Sequence, residues 1–233
     1  MLRHDRIMTL MALVIIASGT QAFAVIIVPP TLNPGDQYRL AFVSSTTKAA
    51  TSPLIDDYNS FVDDLGDEVI ASDWKAIAST PSIDARTNTG TDPLSGIGVR
   101  IFLLDGSKLV DDNTDLWDGD LDTRFDVTEL GSVFSSEVWT GSDIFGAAAN
   151  PLGASSPIVG NNLSVTAGWV QVANNRDQSD LLPLYALSGV LTVPGGQATP
   201  QVPEPGTFTI FTFGAAMLMG ARGYRRWRAS ESS

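Results

Sequence analysis

The stretch Gln37-Tyr38-Arg39-Leu40-Ala41-Phe42-Val43 shows the pattern of a β-strand in a chain of 233 residues. Apolar and polar residues alternate around Tyr38, Leu40 and Phe42, which is the period of a strand that is buried on one face. The preceding Asn33-Pro34-Gly35 has the composition of a turn. The sequence therefore predicts a half-buried strand over residues 37–43.

A helix is predicted shortly after this strand. Ser52 followed by Pro53 is typical of a helix start, with the serine hydroxyl as N-cap and proline at the first helical position. Asp56 and Asp57 would then lie near the positive end of the helix dipole. Gly66 is the predicted stop. The apolar residues in between recur at helical spacing: Ile55, Tyr58, Phe61, Val62 and Leu65.

Long polar segments separate the remaining predicted strands. These segments are rich in Asp, Asn, Ser, Thr and Gly and are too poorly periodic for helices. Because 43% of the residues are apolar, the chain can fill a core. We expect a single compact, loop-rich α+β domain over residues 25–202. Its further strands are predicted at 74–78, 99–104, 138–140, 168–172 and 185–193.

Several short phrases in this domain occur in a familiar order. They are Trp74-Lys75-Ala76-Ile77-Ala78-Ser79, Asp84-Ala85-Arg86, Ile101-Phe102-Leu103-Leu104-Asp105-Gly106, Leu116-Trp117-Asp118-Gly119, Val138-Trp139-Thr140-Gly141-Ser142 and Gly168-Trp169. Together they resemble secreted bacterial domains related to the C-type-lectin-like and endostatin-like fold. The resemblance implies that the first and last strands are neighbours, so residues 37–43 should pair antiparallel with a strand inside 185–193. The disulfides usual in lectin-like domains are absent, since the chain has no cysteine.

The tryptophans of the domain fall into two groups. Trp74, Trp139 and Trp169 lie in strand-like contexts, so core packing is predicted, with a sugar-stacking platform as the alternative. Trp117 lies inside an acidic loop. It is the candidate exposed aromatic for carbohydrate stacking.

The acidic loop around Trp117 is the candidate calcium site. Calcium takes six to eight hard oxygen ligands. An EF-hand register fails here, because position six would be Leu116 and position twelve an aspartate rather than a glutamate. A solvated acidic loop is the alternative. The candidate ligands are Asp111, Asn113, Asp115, Asp118, Asp120 and Asp122.

The first segment of the chain has the three parts of a secretory signal peptide. Arg3 and Arg6 form the positive region, residues 7–17 the apolar core, and Ala22-Phe23-Ala24 the small-x-small cleavage site. Residues 1–24 are therefore predicted to be removed by signal peptidase. A membrane-anchoring helix is the alternative, but an apolar run of eleven residues spans only about half of a ~30 Å hydrocarbon layer.

The end of the chain carries a second three-part signal. Pro203-Glu204-Pro205 is followed by an apolar segment, residues 206–221, and by a basic tail, residues 222–233. The apolar segment can sit in a bilayer while the arginines stay on the cytoplasmic side. A permanent anchor is the alternative. The stop-transfer residues are Arg222, Arg225, Arg226 and Arg228.

This tail resembles the PEP-CTERM sorting signal of bacteria that make extracellular polysaccharide. The resemblance implies that Pro203, Glu204 and Pro205 are recognised by a membrane-embedded exosortase, which removes the helix and the basic tail. It further implies transient anchoring in the inner membrane and delivery to the cell surface or extracellular matrix, where exopolysaccharide is the expected partner.

Charge and composition exclude several classes of function. Acidic residues outnumber basic ones 26 to 14, and residues 25–202 keep 23 of the former and 8 of the latter, a net charge of about −15. Nucleic acid is therefore not an expected partner, because binding it needs a basic face. The single histidine, His4, is lost with the signal peptide. Without imidazole or thiolate, the mature chain offers neither a Ser-His-Asp triad nor a transition-metal site.

Three functional hypotheses follow. The preferred one is a non-enzymatic structural or adhesive component associated with exopolysaccharide, with no cofactor. The second is a calcium-dependent carbohydrate-binding module. The third is a secreted hydrolase. Carboxylate pairs such as Asp63 with Asp64 or Glu129 with Glu137 could supply its catalytic acids. The sequence does not give the distance between two carboxylates across a cleft, however, which glycoside hydrolysis requires.

Overall fold

The computed structural model describes residues 27–172 and 175–195. The predicted signal peptide with Ala22 and Ala24, the sorting motif 203–205, the apolar segment 206–221 and the basic tail 222–233 lie outside the described residues. The described part is a compact mixed sheet with a few helices, which confirms the predicted α+β class. No helix within it has the length and apolar character needed to cross a bilayer.

Short strands and helices alternate along the described chain. The helices are α1 (Ile55–Asp67), α2 (Ala85–Thr89) and α3 (Asn113–Leu116), with one 3-10 turn at Ala167–Trp169. The strands are β1 (Gln37–Val43), β2 (Lys48–Ala49), β3 (Lys75–Ala76), β4 (Arg100–Leu103), β5 (Lys108–Val110), β6 (Glu137–Trp139), β7 (Val159–Asn161), β8 (Leu181–Leu182), β9 (Tyr185–Leu187) and β10 (Leu191–Thr192).

Strand β1 is the centre of the main sheet. The strand order is β3-β9-β1-β4-β5, and β10 also pairs with β1. β4 runs parallel to β1, with Tyr38 opposite Arg100, while β9 and β10 run antiparallel to it. Two smaller sheets, β2-β8 and β6-β7, complete the fold.

The central position of β1 corrects the prediction of a half-buried strand. All of its residues except Gln37 are buried, because both faces of the sheet are covered. Leu40 and Phe42 pack into one apolar core with Trp74 and Trp139, and Ala41 and Val43 belong to a second core on the other face. The alternating pattern therefore marks two cores rather than a core and a solvent face.

The predicted pairing of the first and last strands is confirmed. Phe42 lies opposite Ala186 of β9, and Gln37 lies opposite Thr192 of β10. The predicted strand 185–193 is divided, because Ser188 takes part in the ladder with its side chain. Its Oγ accepts a hydrogen bond from the backbone N–H of Leu40 at 2.9 Å.

Helix α1 forms where predicted but differs at both ends. It begins at Ile55, with Leu54 at the N-cap position, because the Ser52 hydroxyl accepts from the Leu54 N–H at 3.1 Å instead of capping the first turn. Gly66 is not a stop and lies inside the helix. A Cβ there would meet the Trp74 ring at 2.5 Å, so this glycine permits close packing of the helix on the indole.

The three tryptophans predicted to lie in the core do so. Trp74, Trp139 and Trp169 are fully buried. The predicted strand 168–172 is wrong, because Trp169 enters the core from a 3-10 turn in which its N–H donates to the Thr166 carbonyl at 2.8 Å.

Candidate functional site

The acidic loop follows β5 and contains α3. Asp112 is the N-cap of this short helix, and its Oδ1 accepts from the N–H groups of Thr114 at 2.7 Å and Asp115 at 3.1 Å. An aspartate at this position satisfies backbone donors that the first helical turn leaves free. The cap directs the chain so that Asp111 and Asp115 come close together.

Three of the six candidate calcium ligands converge. Carboxylate oxygens of Asp111, Asp115 and Asp122 lie within 4.8 Å of one another. The geometry is set locally, because Asp115 Oδ2 accepts from the Asp111 N–H at 2.6 Å and the Asp122 N–H donates to the Leu109 carbonyl at 3.0 Å. These three residues form the carboxylate cluster.

A lysine already compensates the charge of this cluster. Lys108 Nζ lies 2.7 Å from Asp111 Oδ1 and 2.9 Å from Asp122 Oδ2. Hydrogen bonds to Asp111 and then to Asp122 raise the pKa of Lys108 above its ordinary value. A calcium ion that used both carboxylates would have to displace this ammonium group. The lysine lies three residues before Asp111, but the sequence analysis did not weigh it as a competitor for the ligands.

The other three candidate ligands, Asn113, Asp118 and Asp120, do not join the carboxylate cluster. Asn113 is buried, and its Nδ2 donates to the Gly96 carbonyl at 3.0 Å. Asp118 Oδ1 accepts from the N–H of Asp120 at 3.0 Å, which forms a local turn. In the described part of the chain, the convergent carboxylates around α3 are those of Asp111, Asp115 and Asp122.

The expectation that Trp117 is exposed is wrong. Its side chain is only 4% exposed, and its Nε1 donates to Thr91 Oγ1 at 2.9 Å. The ring lies 5.7 Å from that of Trp169, and Gly146 packs against it so closely that a Cβ would lie 2.8 Å from the indole. Within the acidic loop, Leu116, Trp117 and Leu121 are the side chains that enter the core, so the indole offers no platform to a sugar.

Three of the four carboxylates considered for a hydrolase have structural partners, and the fourth, Asp64, is exposed. Asp63 Oδ1 accepts from the Trp74 N–H at 2.9 Å and thereby joins α1 to β3. Glu129 is buried and accepts from the N–H and the hydroxyl of Ser45. Glu137 Oε2 pairs with Arg176 Nε at 2.5 Å.

Two clefts of the described domain are open and polar. One, of about 330 Å³, lies between α1 and β3. In its wall, Asp73 forms an ion pair with Lys75 at 2.9 Å, and Asp63 holds the Trp74 N–H. A second, of about 240 Å³, is bordered by Thr80, Asp84 and Thr87. Neither cleft includes a residue of the carboxylate cluster.

Arg39 in the middle of β1 has a structural role that the pattern of the strand does not predict. The side chain is 7% exposed, its Nε donates to the Ser188 carbonyl at 2.5 Å, and its Nη1 donates to the Thr89 carbonyl at 2.8 Å. Burial lowers the pKa of Arg39 to about 10, so the group remains charged at neutral pH. The signal in the sequence was a charged residue within a largely apolar strand. In the structure this arginine connects β1, α2 and the segment between β9 and β10.

Comparison with known proteins finds no matching family model and no matching curated protein.

Proposed function

We propose that this chain is the precursor of an exported cell-surface or extracellular-matrix protein that an exosortase processes. The observation that carries the proposal is the ordered tail: Pro203-Glu204-Pro205, then the apolar segment 206–221, then the four arginines. The signal peptide 1–24 supplies the matching entry to the secretory route. The position of the domain supports this arrangement, since its strand β10 ends at Thr192, eleven residues before Pro203.

We propose that the mature domain is a non-enzymatic structural or adhesive component associated with exopolysaccharide. Its histidine-free and cysteine-free composition supports this role. So do the fixed roles of its carboxylates: Asp63 anchors the backbone of Trp74, and Glu137 pairs with Arg176. A lectin-like arrangement is part of the proposal. The antiparallel pairing of β1 with β9 and β10 and the buried tryptophans are consistent with it.

The sorting step can be tested by intact-mass analysis of protein recovered from the native host. We expect the mature protein to lack about 24 residues at the front and about 30 at the back. A variant with Pro203→Ala and Pro205→Ala should retain the tail, whereas the control Pro200→Ala, which changes a proline outside the motif, should be processed normally. Recovery of wild-type chain that still carries Arg225 and Arg226 would overturn the proposal.

A calcium-dependent carbohydrate-binding module is a second candidate. The convergence of Asp111, Asp115 and Asp122 favours it, and the ammonium group of Lys108 competes with it. Retention on the host's exopolysaccharide, measured with and without a chelator, separates the two candidates. Retention that the chelator abolishes supports the second, and retention that it leaves unchanged supports the first.

A further inference from the structure

The loop of residues 94–98 presents apolar side chains to solvent. Leu94 is 92% exposed and Ile97 is 75% exposed, the highest values among the large apolar side chains of the described residues. Surface apolar residues of ordinary monomers are usually scattered singly. Here two lie on one short loop whose five residues are all exposed.

Hydrogen bonds from Asn113 hold this loop in a fixed conformation. Asn113 donates its backbone N–H to the Ile97 carbonyl at 2.8 Å and its side-chain amide to the Gly96 carbonyl at 3.0 Å. Gly98 has a φ of +80° and contacts the same asparagine so closely that a Cβ would clash with it. The two apolar side chains therefore project from an ordered base.

The loop lies at the end of the domain from which the chain continues to its tail. It directly precedes β4, whose first residue, Arg100, pairs with Tyr38 near the start of β1. At this same end of β1, Gln37 pairs with Thr192 of β10, after which the chain leads toward the sorting motif. At the other terminus, the Ile27 carbonyl accepts a hydrogen bond from the Tyr38 hydroxyl at 2.9 Å.

From this placement we infer that Leu94 and Ile97 contact the lipid surface of the membrane while the precursor is anchored. The inference rests on the proposed function, because it takes the segment 206–221 to be in the bilayer. Seven residues, 196–202, separate Gly195 from the sorting motif, and seven residues span at most about 25 Å when fully extended. So short a connection holds this end of the domain next to the bilayer, where apolar side chains leave water on entering the interface.

The charges around the loop select the kind of lipid. Asp92 accepts from the Leu94 N–H at 3.0 Å, and Asp112 caps the helix beneath the loop. The nearby Arg100 is paired with Asp36 at 3.4 Å. Acidic groups beside the contact are repelled by anionic headgroups within a Debye length of about 8–10 Å. The fitting partner is therefore a zwitterionic phospholipid surface.

The test uses the absence of cysteine from the native chain. Single-cysteine variants Ile97→Cys, Leu130→Cys and Phe211→Cys are labelled with an environment-sensitive fluorophore, and each full-length chain is reconstituted in phosphatidylcholine vesicles. Leu130 is the matched control, because it is 71% exposed and shares its loop with Val133, which is 73% exposed. This second apolar pair lies beyond the opposite end of β1, where the Val43 N–H donates to the Val127 carbonyl, so it differs from Leu94 and Ile97 in placement and not in apolar character. We expect probes at 97 and 211 to shift their emission to the blue and to be quenched by spin-labelled lipid, while the probe at 130 shows neither effect.

The outcomes separate the two proposals. A lipid-buried probe at 211 with a water-exposed probe at 97 overturns the membrane contact and leaves the anchor standing. A probe at 211 that stays in water overturns both. Equal quenching at 97 and 130 indicates adsorption without orientation and also overturns the inference. Phosphatidylglycerol vesicles should weaken the response at 97 without changing that at 211, and a stronger response at 97 would contradict the charge argument.

Discussion

Lys108 is the residue that decides whether the carboxylate cluster is free to bind calcium. Its ammonium lies between Asp111 and Asp122, so the carboxylate cluster has a cation built into the chain. Both acids are partly exposed, at 61% and 47% of their side chains, which places each ion pair in the range of about 0.2–1 kcal/mol. Removing the lysine should leave three neighbouring carboxylates with unbalanced charge.

We predict that Lys108→Met lowers the free energy of unfolding by about 1 kcal/mol in calcium-free buffer. Millimolar calcium should then raise the melting temperature of this variant more than that of the wild type, because a ligand that binds only the folded state stabilises it. Lys75→Met is the control, since Lys75 pairs with Asp73 outside the cluster. Calorimetry with and without calcium measures the melting temperature of each protein. If calcium raised the melting temperature of Lys108→Met no more than that of the wild type and of Lys75→Met, the prediction would be wrong.

The burial of Tyr185 determines how the stability of the domain changes at high pH. Burial, and then the charge of Asp126, raise its pKa well above the ordinary value, so the hydroxyl stays protonated in the folded chain while an unfolded tyrosine ionises near pH 10. The stability that this tyrosine contributes is therefore fully present below about pH 10. It falls by about 1.4 kcal/mol per pH unit above that value.

Tyr185→Phe should reverse the order of stability with pH. At neutral pH the variant loses the hydrogen bond from the tyrosine hydroxyl to the Trp169 carbonyl, 3.1 Å long, which costs about 1 kcal/mol. Above pH 10 it should lose stability less steeply than the wild type. Urea unfolding at pH 8 to 11 measures both effects, and parallel curves for the two proteins would show that Tyr185 ionises as readily in the folded state as in the unfolded state.

At the scale of elements, helix α1 depends on the glycine that faces Trp74. Gly66→Ala would favour the helix by about 1 kcal/mol on propensity alone. The new Cβ would meet the fully buried Trp74 ring at 2.5 Å, however, and overpacking of a core typically costs about 1–3 kcal/mol. We expect net destabilisation in chemical unfolding. Asp64→Ala, at an exposed position of the same helix, is the control, and it should change the free energy of unfolding by no more than about 0.5 kcal/mol. A Gly66→Ala variant that is more stable than the wild type would show that the helix moves away from the indole.

The elements also show what sequence reasoning could and could not reach. The pairing of β1 with the 185–193 region was predictable, because residues 37–43 have the pattern of a strand and the resemblance placed the two segments side by side. The burial of Trp117 was not, because it depends on Thr91 and Gly146, which are distant in sequence. The same holds for the carboxylate cluster: composition marked the acidic loop, but the position of Lys108 depends on how β5 and α3 meet.

At the scale of the whole molecule, the two cores share one strand. Leu40 of β1 belongs to the core that contains Trp74, and Val43 belongs to the core that contains Trp169. Neither core can lose its packing while β1 stays in place for the other. The domain should therefore unfold as one cooperative unit.

We predict a single calorimetric transition for the domain of residues 25–202. Leu40→Ala and Val43→Ala should both lower the temperature of this one transition, the leucine variant by the larger amount because a Leu→Ala cavity costs about 2–5 kcal/mol. Glu68→Ala, at an exposed position just after α1, should leave it within a degree or two. Two separate transitions, each sensitive to only one of the core variants, would contradict the shared-strand argument.

The central place of β1 has a consequence for the order of events in the proposed export. Arg39 of this early strand donates to the Ser188 carbonyl 149 residues later in the chain, and β1 gains its antiparallel neighbours only when β9 and β10 are available. Contacts of such long sequence separation form late. A chain that crosses the inner membrane from its front end therefore cannot close its main sheet until residue 192 has emerged. Only ten residues, 193–202, then remain before the proposed sorting motif begins to leave the translocation channel. On the proposed route, the fold is therefore completed at nearly the same time as the tail reaches the bilayer.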